Sequence, residues 1–197
     1  MFASNTYILW QDGEGAVIDA GNPAKDILNV LKGNNINLKY IILTHGHIDH
    51  ILSVDEIKNE AGGKVVIHKD DAIGLVNPDY NGSKTFFGES IAFNPADVMV
   101  NDGDILYLGG NQLNIIHTPG HSPGGICIKA GDWVFTGDTL FFRSIGRTDI
   151  GGDYDELIKS AREKLFTLDD SLIVYPGHGR SSTIGYEKQH NPYFRNV

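Results

Sequence analysis

Apolar positions along the chain follow two rhythms. Residues 6–10 ("TYILW") and 15–21 ("GAVIDAG") flank the polar turn "QDGEG", which predicts a β-hairpin of two short strands. Residues 22–35 ("NPAKDILNVLKGNN") repeat apolar side chains at helical spacing, with Pro23 early and Gly33 near the end, so a helix is expected there. The unbroken apolar run "LKYIILTH" (38–45) predicts a strand buried on both faces. An amphipathic helix over 50–63 and a second buried strand, "KVVIHK" (64–69), follow. This β-α-β order belongs to a layered sheet-and-helix protein.

The second half changes character. Regularity fades over 77–97, where a long loop is expected, of a kind that often covers a functional site. Residues 104–110, 112–121, 124–131 and 132–141 then give four short strands broken by Gly-rich turns, an antiparallel run. A helix over 152–168 and a last buried strand over 171–179 complete the pattern. The sum is two sheets covered by helices, read as a single domain over 1–197.

Composition narrows the function. A hydrophobic share of 41% is that of a globular chain, and a net charge of −9 argues against nucleic acid or an anionic membrane as partner. Cys127 is the one cysteine, so no internal disulfide forms; it reads as a small buried hydrophobe. The N-terminal segment lacks a basic region and a long apolar core, and no apolar run reaches membrane-span length. A cytoplasmic enzyme is expected.

The chemistry sits at strand ends. His45 follows "YIIL", His121 follows "LNIIHTPG", Asp138 follows "WVFTG" and His178 follows "LIVYPG". With His47, Asp49 and His50 of "THGHIDH", these are seven candidate metal ligands, five of them among the chain's eight histidines. Histidine nitrogens with carboxylate oxygens suit zinc, iron or manganese. Seven donors oversupply one tetrahedral ion. Two ions roughly 3.5–4 Å apart, sharing one carboxylate, would use them all. His68, His117 and His190 are expected to be ordinary hydrogen-bonded histidines, with His117 near enough in sequence to support His121.

"THGHIDH", "HTPGHSPG", "FTGDTLF" and "YPGHG", in this order and spacing, resemble the metallo-β-lactamase superfamily of hydrolases. Within it, "GDTLFFRSIGRTDIGGDY" (137–154) is similar to the glyoxalase II branch in a short form. The resemblance implies an α+β fold, a four-layer αββα sandwich with a dinuclear site at the sheet edges. It implies one ion on His45, His47 and His121, a second on Asp49, His50 and His178, and Asp138 bridging. It implies two divalent ions, zinc first, with iron or manganese accepted by the same donors. A bridging hydroxide then attacks the carbonyl of a small-molecule thioester such as S-lactoylglutathione, with Asp49 and Asp138 as the catalytic carboxylates.

Two departures from the branch stand out. Only residues 179–197 follow the last ligand, too few for the C-terminal helical domain that supplies much of the glutathione-binding surface in full-length glyoxalase II. Where family members carry "GCGK" or "GCGR" near the thiol-carrier site, this chain has "SIGRTD". Arg147 and Arg143 are the candidates to meet a substrate carboxylate. The rival functions on the same fold are a persulfide dioxygenase with one iron, and a lactonase or phosphodiesterase. A protein that has lost activity would be expected to have lost ligands, and all seven are present.

Overall fold

The computed structural model describes residues 4–195. Strand β1 (Tyr7–Gln11) turns back into β2 (Glu14–Ile18), and helix α1 (Ala24–Gly33) leads to β3 (Asn37–Ile42). Two short helices, α2 (Ile48–Ile51) and α3 (Val54–Ala61), precede β4 (Lys64–His68). Three helical turns follow: α4 (Ile73–Val76), α5 (Pro78–Asn81) and α6 (Ser83–Phe87). Strand β5 (Val98–Val100) closes the first sheet, ordered β1-β2-β3-β4-β5, antiparallel only at β1/β2.

The second sheet holds β6 (Ile105–Leu108), β7 (Asn111–His117), β8 (Ile126–Ala130) and β9 (Trp133–Gly137), joined by antiparallel pairings. A two-stranded ribbon, β10 (Leu140–Phe141) with β11 (Ser144–Ile145), stands beside it. Helix α7 (Tyr154–Ser160), β12 (Ile173–Pro176), β13 (Ser182–Thr183) and α8 (Ile184–His190) complete the chain's main elements. Strand β12 lies parallel to β9, giving the order β13-β12-β9-β8-β7-β6.

Alternation along the strands sorts the core into three layers of contact. Ala16 and Ile18 of β2, Ile42 of β3, and Ile126, Ile128 and Phe135 face one another between the sheets. Their neighbours Val17 and Ile41 face outward onto Ile27, Leu31, Val54 and Ile57 of α1 and α3. On the far side Cys127, Val134 and Val174 meet Leu165 and Ile184. The result is the expected α+β, four-layer αββα sandwich.

The stretch over 77–97 differs from the expected open loop. Asn77 caps α5 by accepting from the Asp79 amide, and buried Asn81 donates to the carbonyls of Gly74 and Ile91. Phe86, Ile91 and Phe93 pack on the outer core of the first sheet. Short polar turns hid this anchoring from any periodicity reading, because each helical turn is only four or five residues long.

Candidate metal centre

The ends of β3, β7, β9 and β12 converge on one edge of the sandwich. His45 and His47 lie in the turn after β3, and Asp49 and His50 sit on α2 immediately beyond it. His121 follows β7, Asp138 follows β9 directly, and His178 is two residues past β12. All seven predicted donors thus meet although 128 positions separate His50 from His178 in sequence.

They meet as overlapping groups. His45, His47 and His121 form one; Asp49, His50 and His178 form another; Asp138 joins His45 and His50 in a third. Nitrogens face each other at 2.8 Å (His47 Nδ1 and His121 Nε2), 3.3 Å (His121 Nε2 and His45 Nε2) and 3.2 Å (His50 Nε2 and His178 Nε2). Donors around a tetrahedral ion with bonds of about 2.0–2.1 Å stand about 3.3 Å apart, so the residues fit such an ion. Asp138 spans the groups, its oxygens 3.4 Å from His50 Nε2, 3.6 Å from His121 Nε2 and 3.5 Å from His178 Nε2. Its Oδ1 is buried and has no hydrogen-bond partner, which is costly unless a cation completes it.

The opposite nitrogen of three rings is held by oxygen. His45 Nδ1 lies 3.1 Å from Thr44 Oγ1, and that hydroxyl donates onward to Asp19 Oδ2. His50 Nδ1 meets Asp19 Oδ2 at 2.8 Å, and His121 Nδ1 meets the Arg147 carbonyl at 2.7 Å. These partners fix each ring so that Nε2 points into the centre, the arrangement that orients metal-binding histidines.

Electrostatics splits the groups. Burial pushes His45, His47 and His121 below the ordinary histidine value, so they stay neutral donors. Burial acts the same way on His50, yet the Asp19 and Asp138 carboxylates overcome it and raise its pKa to about 10. His178 is raised by its hydrogen bond to Asp49. Burial alone would raise Asp49, but His178 and His50 hold it at about 2.

Two acids absent from the expected set prove central. Asp19 stands at the end of β2 with φ of 58° and also accepts from the Thr44 amide at 2.8 Å. Its place after "GAVI" repeats the strand-end signal of the donors, so the signal was available. Asp71 is fully buried and accepts from Gly46 N, Ser122 Oγ, Gly124 N and Tyr80 Oη. No spacing marks it, since its partners lie in three different segments.

Gly46 separates His45 from His47 in the donor turn. Its φ is not in the left-handed region; a Cβ there would instead come within 2.9 Å of the Asp71 carbonyl and 3.1 Å of Gly74 Cα. Close approach of α4, not turn geometry, is what requires glycine.

His68 and His117 stack at 3.9 Å with 11° between their planes, beside Asp70. In-plane lone pairs of parallel rings do not converge on one ion. His117 Nε2 reaches the Pro123 carbonyl at 2.9 Å, bracing the loop that carries His121. His190 stacks on Tyr186, away from the seven donors.

Five of the donors, His47, Asp49, His121, Asp138 and His178, floor a cavity of about 300 Å³ that Phe86, Phe87, Phe141 and Arg147 also line. Arg147 is held bidentately by Asp149, with both contacts at 2.6 Å. Arg143 is exposed and does not line this cavity; its backbone amide donates to Glu187.

The metallo-beta-lactamase superfamily profile matches residues 1–178. The chain belongs to that superfamily. It is therefore of a metal-binding hydrolase family. It is 37% identical to hydroxyacylglutathione hydrolase GloC of Haemophilus influenzae, over 98% of this chain and 93% of that protein. Among solved structures it is similar to the B3 metallo-beta-lactamase BLEG-1, with 36% identity, a TM-score of 0.94, and 98% and 95% of the two chains covered. The di-iron-bound form of TTHA1623 matches at 31% identity and a TM-score of 0.83, covering 96% of this chain and 94% of that one. Among the described residues no helix is long and apolar enough to cross a membrane.

Proposed function

We propose that the protein is a dinuclear thioester hydrolase of glyoxalase II type. The observation that carries this reading is Asp138, whose buried Oδ1 has no hydrogen-bond partner and whose carboxylate is set between His121 on one side and His50 and His178 on the other. His45, His47 and His121 would hold one ion, Asp49, His50 and His178 the second, and Asp138 both. When bound, two divalent ions lower the pKa of water and polarise a carbonyl oxygen.

The chain's own groups then have distinct tasks. Asp49, 3.3 Å from His178 Nε2, would be an ionised acceptor that orients the O–H of the attacking water. Asp19, through Thr44 and His50, keeps two rings of different groups in register. The cavity above the donors seats the acyl group. The net reaction adds water across the C–S bond. A water oxygen bonds to the carbonyl carbon, the C–S electron pair leaves on sulfur, and the products are a carboxylic acid and a thiol.

The likeness to GloC supports thioester hydrolysis, and the likeness to BLEG-1 supports a second reading, hydrolysis of a β-lactam amide. Protein with measured metal content should be screened against thioesters, lactones, phosphodiesters, β-lactams and glutathione persulfide. Two ions per chain and thioester turnover lost in Asp138→Ala are the expected result. One iron per chain with oxygen consumption on the persulfide overturns it.

A further inference from the structure

The cavity over the donors carries a statement about substrate that the family likeness does not. Its floor is His47, Asp49, His121, Asp138 and His178. Its walls are mostly apolar, Ile48, Phe86, Phe87, Phe141, Ile145 and Ile150, with Ser144 and Arg147 their polar members. At about 300 Å³ it stands at the small end of ligand sites, which run from about 300 to 1,000 Å³.

Arg147 is the one lysine or arginine among the described residues that line it. Asp149 occupies that guanidinium through both Nε and Nη2, so the pair presents no net charge. A carboxylate placed against these walls, away from the donors, would lose water and meet only a guanidinium already paired with Asp149, which is costly.

We infer that this cavity selects thioesters whose acyl group is uncharged and apolar, of branched-alkyl or phenyl size, over those whose acyl group carries a carboxylate. The inference rests on the thioesterase reading above. Phe86 and Phe87 come from α6, Phe141 from β10 and Ile145 from β11, so the walls are built from both halves of the chain. Aromatic and branched side chains on opposing walls favour a flat or branched group between them. The scissile carbonyl then lies over the donors with the acyl group among the rings, and the thiol points to solvent.

The test uses metal-loaded protein of measured ion content and thioesters of N-acetylcysteamine, a neutral small thiol. Isovaleryl and benzoyl thioesters should show kcat/KM at least about tenfold above the acetyl and succinyl thioesters and above S-lactoylglutathione. Phe87→Ala should narrow the benzoyl-to-acetyl ratio chiefly through KM. Asp149→Asn, which frees Arg147, should raise succinyl turnover relative to benzoyl. Equal rates across the acyl series, or a preference for succinyl or S-lactoylglutathione, overturn the inference.

Calorimetric binding of two thiols, phenylmethanethiol and mercaptosuccinate, reads the pocket without any turnover. Tighter binding of phenylmethanethiol by about tenfold supports the apolar selection; equal or reversed affinities overturn it. If no thioester is hydrolysed while phenylmethanethiol still binds more tightly, the thioesterase reading falls and the pocket's selectivity stands.

Discussion

Asp19 Oδ2 and His50 Nδ1 meet at 2.8 Å with their side chains 2% and 0% exposed. The acid directly follows β2 and the imidazole sits on α2, so the contact locks the donor loop to the first sheet. The same carboxylate takes the Thr44 hydroxyl that holds His45. One acid therefore sets the orientation of a ring in each donor group.

Replacing that acid tests the arrangement. Asp19→Asn should lower affinity for the more weakly held ion by about 10–100-fold, the usual effect of removing a partner of a metal-binding histidine. Competition with a chromophoric chelator reads it directly. Unchanged affinity for both ions would show that His50 is oriented by packing alone.

Protonation separates the two donor groups in the metal-free protein. At pH 7 His45, His47 and His121 are neutral, whereas His50, with a pKa of about 10, carries a proton. Binding at the first group should release little acid, and binding at the second should release protons. Titration calorimetry in two buffers of different ionisation enthalpy measures this; equal release in both phases would contradict it.

The same shifts shape stability of the metal-free protein. A raised His50 contributes fully below the unfolded value of about 6.5 and loses that contribution as pH climbs through about 10. The lowered His45, His47 and His121 act oppositely, costing stability as pH falls below about 6.5. Asp49, lowered to about 2, contributes above the unfolded value of about 3.9 and loses it as pH falls through about 2. Melting temperature against pH should therefore fall on both sides of neutrality, and metal should flatten the alkaline side.

Asp71 offers a separate handle on the first group. It joins the Gly46 turn to Ser122 and Gly124 of the His121 loop, and receives the Tyr80 hydroxyl from the cover. Asp71→Ala should destabilise the protein by about 3 kcal/mol or more, because several buried donors lose their acceptor. Tyr80→Phe, removing a single bond, should cost about 1 kcal/mol. Denaturant unfolding of both variants measures the difference; similar small losses would mean the carboxylate is replaceable.

Gly177 tests the fit around Asp138. A Cβ at this position would collide with Asp138 Oδ1 and come within 2.7 Å of His50 Cε1. Gly177→Ala should keep the fold, by circular dichroism, while bound metal and turnover fall together. Full metal content in this variant would show that Asp138 has room to move.

The chain's own pattern determined a great deal. Continuous apolar runs ending in His45, His121, Asp138 and His178 announced buried strands that deliver polar groups at one edge. Strand periodicity is a local property, fixed by which face each side chain must bury, and so it survives in one dimension. What only the tertiary structure decided is which groups meet. Asp71 reaches its partners across segments 25, 51 and 53 positions away, and Arg147 is neutralised by its neighbour Asp149. The helical turns of the cover, too short for a period, take their place from Asn81 and the packing of Phe86 and Phe93. Contacts of this kind depend on the packing of the two sheets and the loops at their edge, which no single stretch of sequence encodes.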